Sequence, residues 1–534
     1  MSARQVDVLV QFGLAVLTLA MYLALPRQGD IWWMDASRHA MNGAFVHDFV
    51  RAMPLHDPVG FAYDYYRQWP ALTILFYPPL FYAFIGLSYA VFGVSEAAAL
   101  VPELLAMYLL ALGCYRLSRC WLAEIPALAT ALLIIGAPEV FFWGQQVMLD
   151  VPAFAFIIWA AYFHLKYLHA QKPLSLYLAV ICAAGAMYTK YNAAFFAGVM
   201  GVSLLAQFGP RVLARRPVIL AALLGVVLLA PLMAIFAKFG SYNLAQAASV
   251  AEAEGGRWSF VALSFYVVNL PAVLSWATVL LAGLYALAAV FRHNLRLPRV
   301  DAMFLLIWLV LGFAFYSLIA VKDPRHILFA VYPLVLAAVL VIDRSVANLA
   351  LRRVASVALA IGVFALSAVA RPPVYVTGMR EAAVEIGALA PHDVNIAFWG
   401  RLDGTFVYAL RAYTNRPDLG VVRLDKILLS DVAVMFERGY TDNGLTPSQI
   451  VQKMRDLHVQ YVVAQTHYQP QIKAVQNLET ALHSDAFVEV QRIAMHTNAK
   501  LSYISELVIY RLKEDVPTGR VAPAMDLSIV GKSL

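Results

Sequence analysis

Residues 218–239 read VILAALLGVVLLAPLMAIFAKF, an apolar run with one ionisable side chain, Lys238, near its end. Arg211, Arg215 and Arg216 stand just before it. A helix needs about 20 mostly apolar residues to cross the hydrocarbon of a bilayer. A surface helix of a water-soluble protein would instead keep one polar face, and this run keeps none. It reads as a membrane crossing, with the arginines marking its cytoplasmic end. The pattern recurs along the chain at 6–25, 97–117, 125–143, 151–168, 174–188, 193–208, 267–291, 302–320, 327–342 and 354–370, about eleven spans in all.

The composition agrees. Of 534 residues, 62% are hydrophobic and 14% charged, against about 45–50% and about 25% in soluble domains. That excludes an ordinary soluble enzyme and a disordered chain. The net charge of +7 reflects basic cytoplasmic loops, not a nucleic-acid partner, because no basic and aromatic binding motif accompanies it. The cysteines, Cys114, Cys120 and Cys182, lie in or beside apolar runs, so the C-terminal third has no disulfide framework. The first run ends at Leu25-Pro26-Arg27 without a small-residue cleavage site, which predicts a retained helix and not a removed signal peptide.

Short basic loops set the expected sidedness. Arg116 and Arg119, Lys166 and Lys172, Arg211, Arg215 and Arg216, Arg292, Arg296 and Arg299, and Arg344, Arg352 and Arg353 fall in alternate loops. All five are cytoplasmic if the N-terminus is cytoplasmic and the chain after Ala370 lies outside. A further run, 75–92, would invert this order if it spanned; it opens on Tyr77-Pro78-Pro79 and is read as an interfacial helix. Residues 26–95 then form a large first external loop within a transmembrane domain of residues 1–371, carrying Trp32, Trp33, Trp69, Tyr63, Tyr65 and Tyr66. Such aromatics favour the membrane interface.

After Arg371-Pro372-Pro373 the long apolar runs stop. Short β-rich runs at 395–399, 420–424, 460–464, 487–493 and 506–512 alternate with helical patterns such as 448–457. This predicts a soluble extracytoplasmic α/β or α+β domain over 372–515, with a loosely ordered tail at 516–534. No glycine-rich phosphate fingerprint follows a strand, and the domain reads as docking or substrate-guiding.

Ionisable groups near a bilayer are costly and mark function. The topology gathers Asp35, Asp150, Lys190 with Tyr191, and Lys322, Asp323, Arg325 and His326 on the outer side. A carboxylate there can take a proton from an attacking hydroxyl or amine. The cations can stabilise a phosphate leaving group. Asp150 also suits a helix start, Lys190 could snorkel, and Asp30, Asp48, Asp57 and Asp64 share the loop with Asp35. Spacing does not choose among them.

The order of these elements resembles the GT-C superfamily of polytopic glycosyltransferases, nearest to the protein O-mannosyltransferase and lipid A aminoarabinose transferase group. The resemblance rests on Asp35 with His39 after the first helix, Pro78-Pro79-Leu80, Leu149-Asp150-Val151-Pro152, Thr189-Lys190 and Pro324-Arg325-His326. It implies inverting sugar transfer from a polyprenyl-phosphate carrier to an envelope glycan, glycolipid or protein. It implies Asp35 and Asp150 as the site acids, and Lys190, Arg325, His326 and Arg67 on the carrier phosphate. His39, Tyr77 and Tyr191 would touch substrate. The chain departs from the pattern in three places: Ala36 follows Asp35 where the family often has Glu, Tyr77 stands where mannosyltransferases have His, and the Lys that aminoarabinose transferases carry nearby is missing, with Arg67 as its substitute. A divalent cation stays open, since no tight acidic pair is evident. The competing reading is a transporter or flippase of lipid-linked sugars, which internal repeats would favour; none is clear between the halves.

Overall fold

The computed structural model describes residues 3–26, 29–253, 258–430, 439–522, 526–527 and 532–533. The C-terminal tail expected to be loosely ordered falls partly outside these residues. The chain divides into two compact units.

The first unit comprises Met1–Leu25, Phe76–Phe81 and Leu100–Pro373. All eleven apolar runs are helical in it, but not all are straight spans. Among the described residues, seven helices are long and apolar enough to cross a membrane, including Asp150–Ala170, Arg299–Leu318 and Leu349–Ala370. Two further runs are bent pairs: Phe260–Leu274 with Trp276–Phe291 turns by 117°, and Pro324–Ala330 with Tyr332–Ser345 by 63°. The first bend lies at Ser275, whose φ of 77° breaks the helix while its hydroxyl accepts the Thr278 N–H and so starts the next one. The runs at 125–143 and 174–188 form the shorter helices Glu124–Gly136 and Pro173–Thr189. Hydropathy measures length along the sequence, and it does not weigh Pro138 or the positive φ of Ser275, where two of these runs break.

Helices Asp150–Ala170 and Pro173–Thr189 pack as an antiparallel hairpin. Gln171, at φ 51°, ends the first helix and Pro173 opens the second. Helix Leu349–Ala370 packs on Glu124–Gly136, where the Ser367 hydroxyl donates to the Gly136 carbonyl at 2.7 Å. A Cβ on Gly136 would fall 3.0 Å from Phe364 Cβ, so glycine permits this approach.

The second unit comprises Pro26–Leu75, Tyr82–Ala99 and Val374–Leu534. The first-loop segment, which the sequence places within the membrane domain, therefore clusters with the C-terminal chain. The five expected β runs form one mixed sheet in the order Gly420–Arg423, Asn395–Trp399, Val459–Gln465, Glu506–Leu512, Phe487–Ala494. The first three strands run parallel, and Glu506–Leu512 joins antiparallel to both neighbours. Helix Asp403–Tyr413 follows the strand Asn395–Trp399 and packs against helix Met34–Ala52 of the first loop.

Candidate active site

In the first unit, the helix hairpin brings two sequence-predicted residues together. Asp150 occupies the first turn of its helix, where an acid meets the positive end of the helix dipole. Lys190 follows the end of the returning helix in extended backbone. Lys190 Nζ donates to Asp150 Oδ1 at 2.6 Å, and both side chains are buried. Asp150 Oδ2 has no hydrogen-bond partner among the described residues.

Arg325 joins this pair from the Pro324–Ala330 turn, within electrostatic range of both Asp150 and Lys190. Asp323 caps that turn through the Arg325 N–H at 3.0 Å and holds Arg325 Nε at 3.2 Å. The guanidinium lies over the Trp143 ring at 4.8 Å. A ring face attracts a cation and fixes its plane. His326 stands next along the turn, also within electrostatic range of Asp150, with its Nδ1 unpartnered among the described residues. Tyr191 opens a short turn after Lys190, its ring 5.3 Å from Phe236. Lys322 is taken up otherwise: Nζ donates to the carbonyls of Tyr316, Ser317 and Ile319 at the end of a helix. Tyr77 is half-buried in the loop before helix Leu80–Phe92.

Three neighbours escaped the sequence reading. Trp143 supports Arg325, and its indole N–H donates to Glu139 Oε2 at 2.7 Å. Glu139 in turn pairs with Arg371 at 2.8 Å. Glu103 is buried in helix Glu96–Ser118 and lies within electrostatic range of Asp150. An acid inside the apolar run 97–117 was a signal that could have found it.

In the second unit, Asp35 sits in the first turn of helix Met34–Ala52, half-buried. His39 follows one turn later; its Nδ1 is 3.0 Å from the Tyr82 hydroxyl and its ring stacks on Tyr82. Arg67 pairs with Asp64 at 3.0 Å on its own helix. Arg38 donates to both oxygens of Asp403 at 3.2 Å, and Arg423 Nε reaches Asp403 at 3.0 Å. Burial alone would raise the Asp403 carboxyl; Arg38 and Arg423 instead hold it below the ordinary range. Among the described residues, no group of three or more His, Cys, Asp or Glu side chains is placed to hold a metal ion.

Comparison with known proteins places this architecture. Residues 77–235 match the family model described as dolichyl-phosphate-mannose-protein mannosyltransferase. The fold is similar to that of ArnT from Cupriavidus metallidurans bound to undecaprenyl phosphate, with a TM-score of 0.62 at 14% identity over 96% of this chain and 99% of that one. It is similar to the arabinofuranosyltransferase AftD from mycobacteria, with a TM-score of 0.55 at 14% identity over 97% of this chain and 40% of that one. It is also similar to the oligosaccharyltransferase of Archaeoglobus fulgidus in its apo form, with a TM-score of 0.56 at 12% identity over 93% of this chain and 75% of that one. No curated protein matches the sequence. The chain shares the fold of these membrane glycosyltransferases, and the described residues include enough long apolar helices for a multi-pass membrane protein.

Proposed function

We propose that this protein transfers a sugar, with inversion, from a polyprenyl-phosphate carrier to a glycan, glycolipid or protein acceptor. The reaction takes place at the outer face of the cytoplasmic membrane, with the N-terminus cytoplasmic and the sheet domain outside. Asp35 takes the proton of the attacking acceptor group as its oxygen or nitrogen bonds to the anomeric carbon. The carbon–oxygen bond to phosphate breaks, and polyprenyl phosphate leaves with the electron pair. Lys190 and Arg325, with His326 beside them, neutralise that phosphate through charge-assisted hydrogen bonds. Asp150 holds Lys190 in place, and His39, Tyr77 and Tyr191 line the path of substrate.

One observation carries this reading: two cations, Lys190 and Arg325, are kept buried beside the carboxylate of Asp150. Asp150 balances Lys190 and Asp323 balances Arg325, and a lipid phosphate would meet the same cations through charge-assisted hydrogen bonds. ArnT, solved with undecaprenyl phosphate, supports a polyprenyl carrier as that anion.

The test is release of polyprenyl phosphate from labelled polyprenyl-phosphate sugars by purified protein in detergent. Asp35→Asn should cut turnover by about 10²–10⁴-fold, the usual contribution of a positioned base, while carrier binding stays. Full turnover in Asp35→Asn removes it from the mechanism. Mass spectrometry of envelope glycans and glycoproteins with and without the gene then identifies sugar and acceptor.

A further inference from the structure

The sheet of the second unit has the form that commonly binds ligands. Open α/β sheets take them beyond the carboxyl ends of parallel strands, where the strand order reverses. Here strand Asn395–Trp399 has Gly420–Arg423 on one side and Val459–Gln465 on the other. The residues at or just past these ends include Asp403, Gly404, Arg423 and Asp425.

These residues hold a helix of the same chain. A Cβ on Gly404 would fall 2.6 Å from Ser37 Oγ, so the start of helix Asp403–Tyr413 is in close contact with helix Met34–Ala52. The Thr405 hydroxyl donates to the Ile31 carbonyl at 2.8 Å. Asp403 takes Arg38 through both oxygens, one turn past Asp35. The far end is tied as well: Arg411 grips Asp48 through Nη2 at 2.6 and 2.7 Å, and the Tyr65 hydroxyl donates to Asp48 at 2.9 Å. A helix anchored by two-pronged ion pairs near both ends can neither rotate nor slide freely.

We infer that the C-terminal sheet domain is a positioning device, with Asp403 and Arg411 as positioning residues that fix helix Met34–Ala52 and thereby Asp35. This rests on the reading of Asp35 as the base. A misplacement of about 1 Å in a reacting group can cost about 10²-fold in rate, so such anchoring has a kinetic effect without touching substrate.

The test uses the full chain in detergent, with Asp48→Arg, Arg411→Asp, the reciprocal double variant, and the milder Asp403→Asn in case a charge reversal does not fold. Turnover is read on a panel of undecaprenyl-phosphate-linked hexoses and pentoses. Affinity is read with undecaprenyl phosphate itself, and backbone hydrogen exchange across 34–52. Each single variant should lose at least about tenfold in turnover with carrier affinity within about twofold, and should exchange faster over 34–52. The double variant should recover to within about threefold. Unchanged turnover or exchange in the single variants, or no recovery in the double, overturns the inference. Asp35→Asn is run beside them. If it keeps full turnover, the base reading fails and the inference with it; if it is inactive while the anchoring variants are fully active, only the inference fails. A parent inactive on the whole panel counts against the proposed function, and hydrogen exchange alone then decides the anchoring.

Discussion

Lys190 Nζ and Asp150 Oδ1 stand 2.6 Å apart inside the protein, joining the end of one helix of a hairpin to the start of the other. Removing one partner of a buried pair leaves a bare charge and costs about 3–5 kcal/mol. Lys190→Met and Asp150→Asn should therefore each lower the unfolding midpoint in detergent, Lys190→Met more. The double variant should lose less than the two losses added, by a coupling of about 0.5–3 kcal/mol. Strict additivity would show that the pair is incidental.

Arg325 lies over Trp143, which fixes the guanidinium plane. A cation–ring contact contributes about 0.5–2 kcal/mol, so Trp143→Leu should weaken undecaprenyl phosphate binding by about 2–30-fold. Arg325→Lys keeps the charge but loses the planar fork, and should fall between the parent and Arg325→Ala. Titration of carrier into the purified variants checks the ranking; equal affinities would remove Arg325 from the phosphate site.

Asp30 caps helix Met379–Leu389, accepting the N–H groups of Met379 and Arg380 at 3.0 and 3.1 Å. Burial lifts its carboxyl to about 6 from 3.8, outweighing the backbone N–H and guanidinium of Arg380. The folded chain thus binds this proton more tightly than the unfolded chain. The contribution of Asp30 is greatest below about pH 4, falls as pH rises to about 6, and is level above that. Amide exchange at Met379 and Arg380, corrected for intrinsic rates, should show protection declining across this window. In Asp30→Asn the slope should vanish.

Gly43 lies where helix Met34–Ala52 meets Ile85. A Cβ there would fall 2.2 Å from Ile85 Cγ2 and 3.3 Å from the Tyr89 ring. Gly43→Ala overfills this contact, an error that costs about 1–3 kcal/mol. Because the same helix carries Asp35, turnover should drop further than stability alone explains. Gly43→Ala combined with Ile85→Ala, which makes room, should recover both; a thermal melt and a turnover assay on the two proteins decide it.

Much of this was legible in the chain. An apolar run of bilayer length has few stable alternatives to a helix, because lipid offers backbone groups no partner. All eleven runs are accordingly helical, and the five β runs of the C-terminal region lie within a residue or so of their expected positions. That Asp150 and Lys190 belong to one cluster of turns was legible as ionisable residues beside apolar runs; that they bond to each other was not. Less readable was the company they keep: Trp143 and Glu139 sit on a short helix after Pro138, inside what hydropathy shows as one continuous span.

Sequence by itself determined what each segment can be, since helix and strand follow from local spacing of apolar side chains and from the demand that buried backbone be bonded. It determined too that ionisable residues in such a chain need a purpose. Only the tertiary structure decided which residues share a site and which loop belongs to which body. Arg38 finds Asp403 and Asp48 finds Arg411 across more than three hundred residues of chain. Nothing local encodes such a partner, because an ion pair depends on the distance between two charges in space, which the packing of the sheet domain sets.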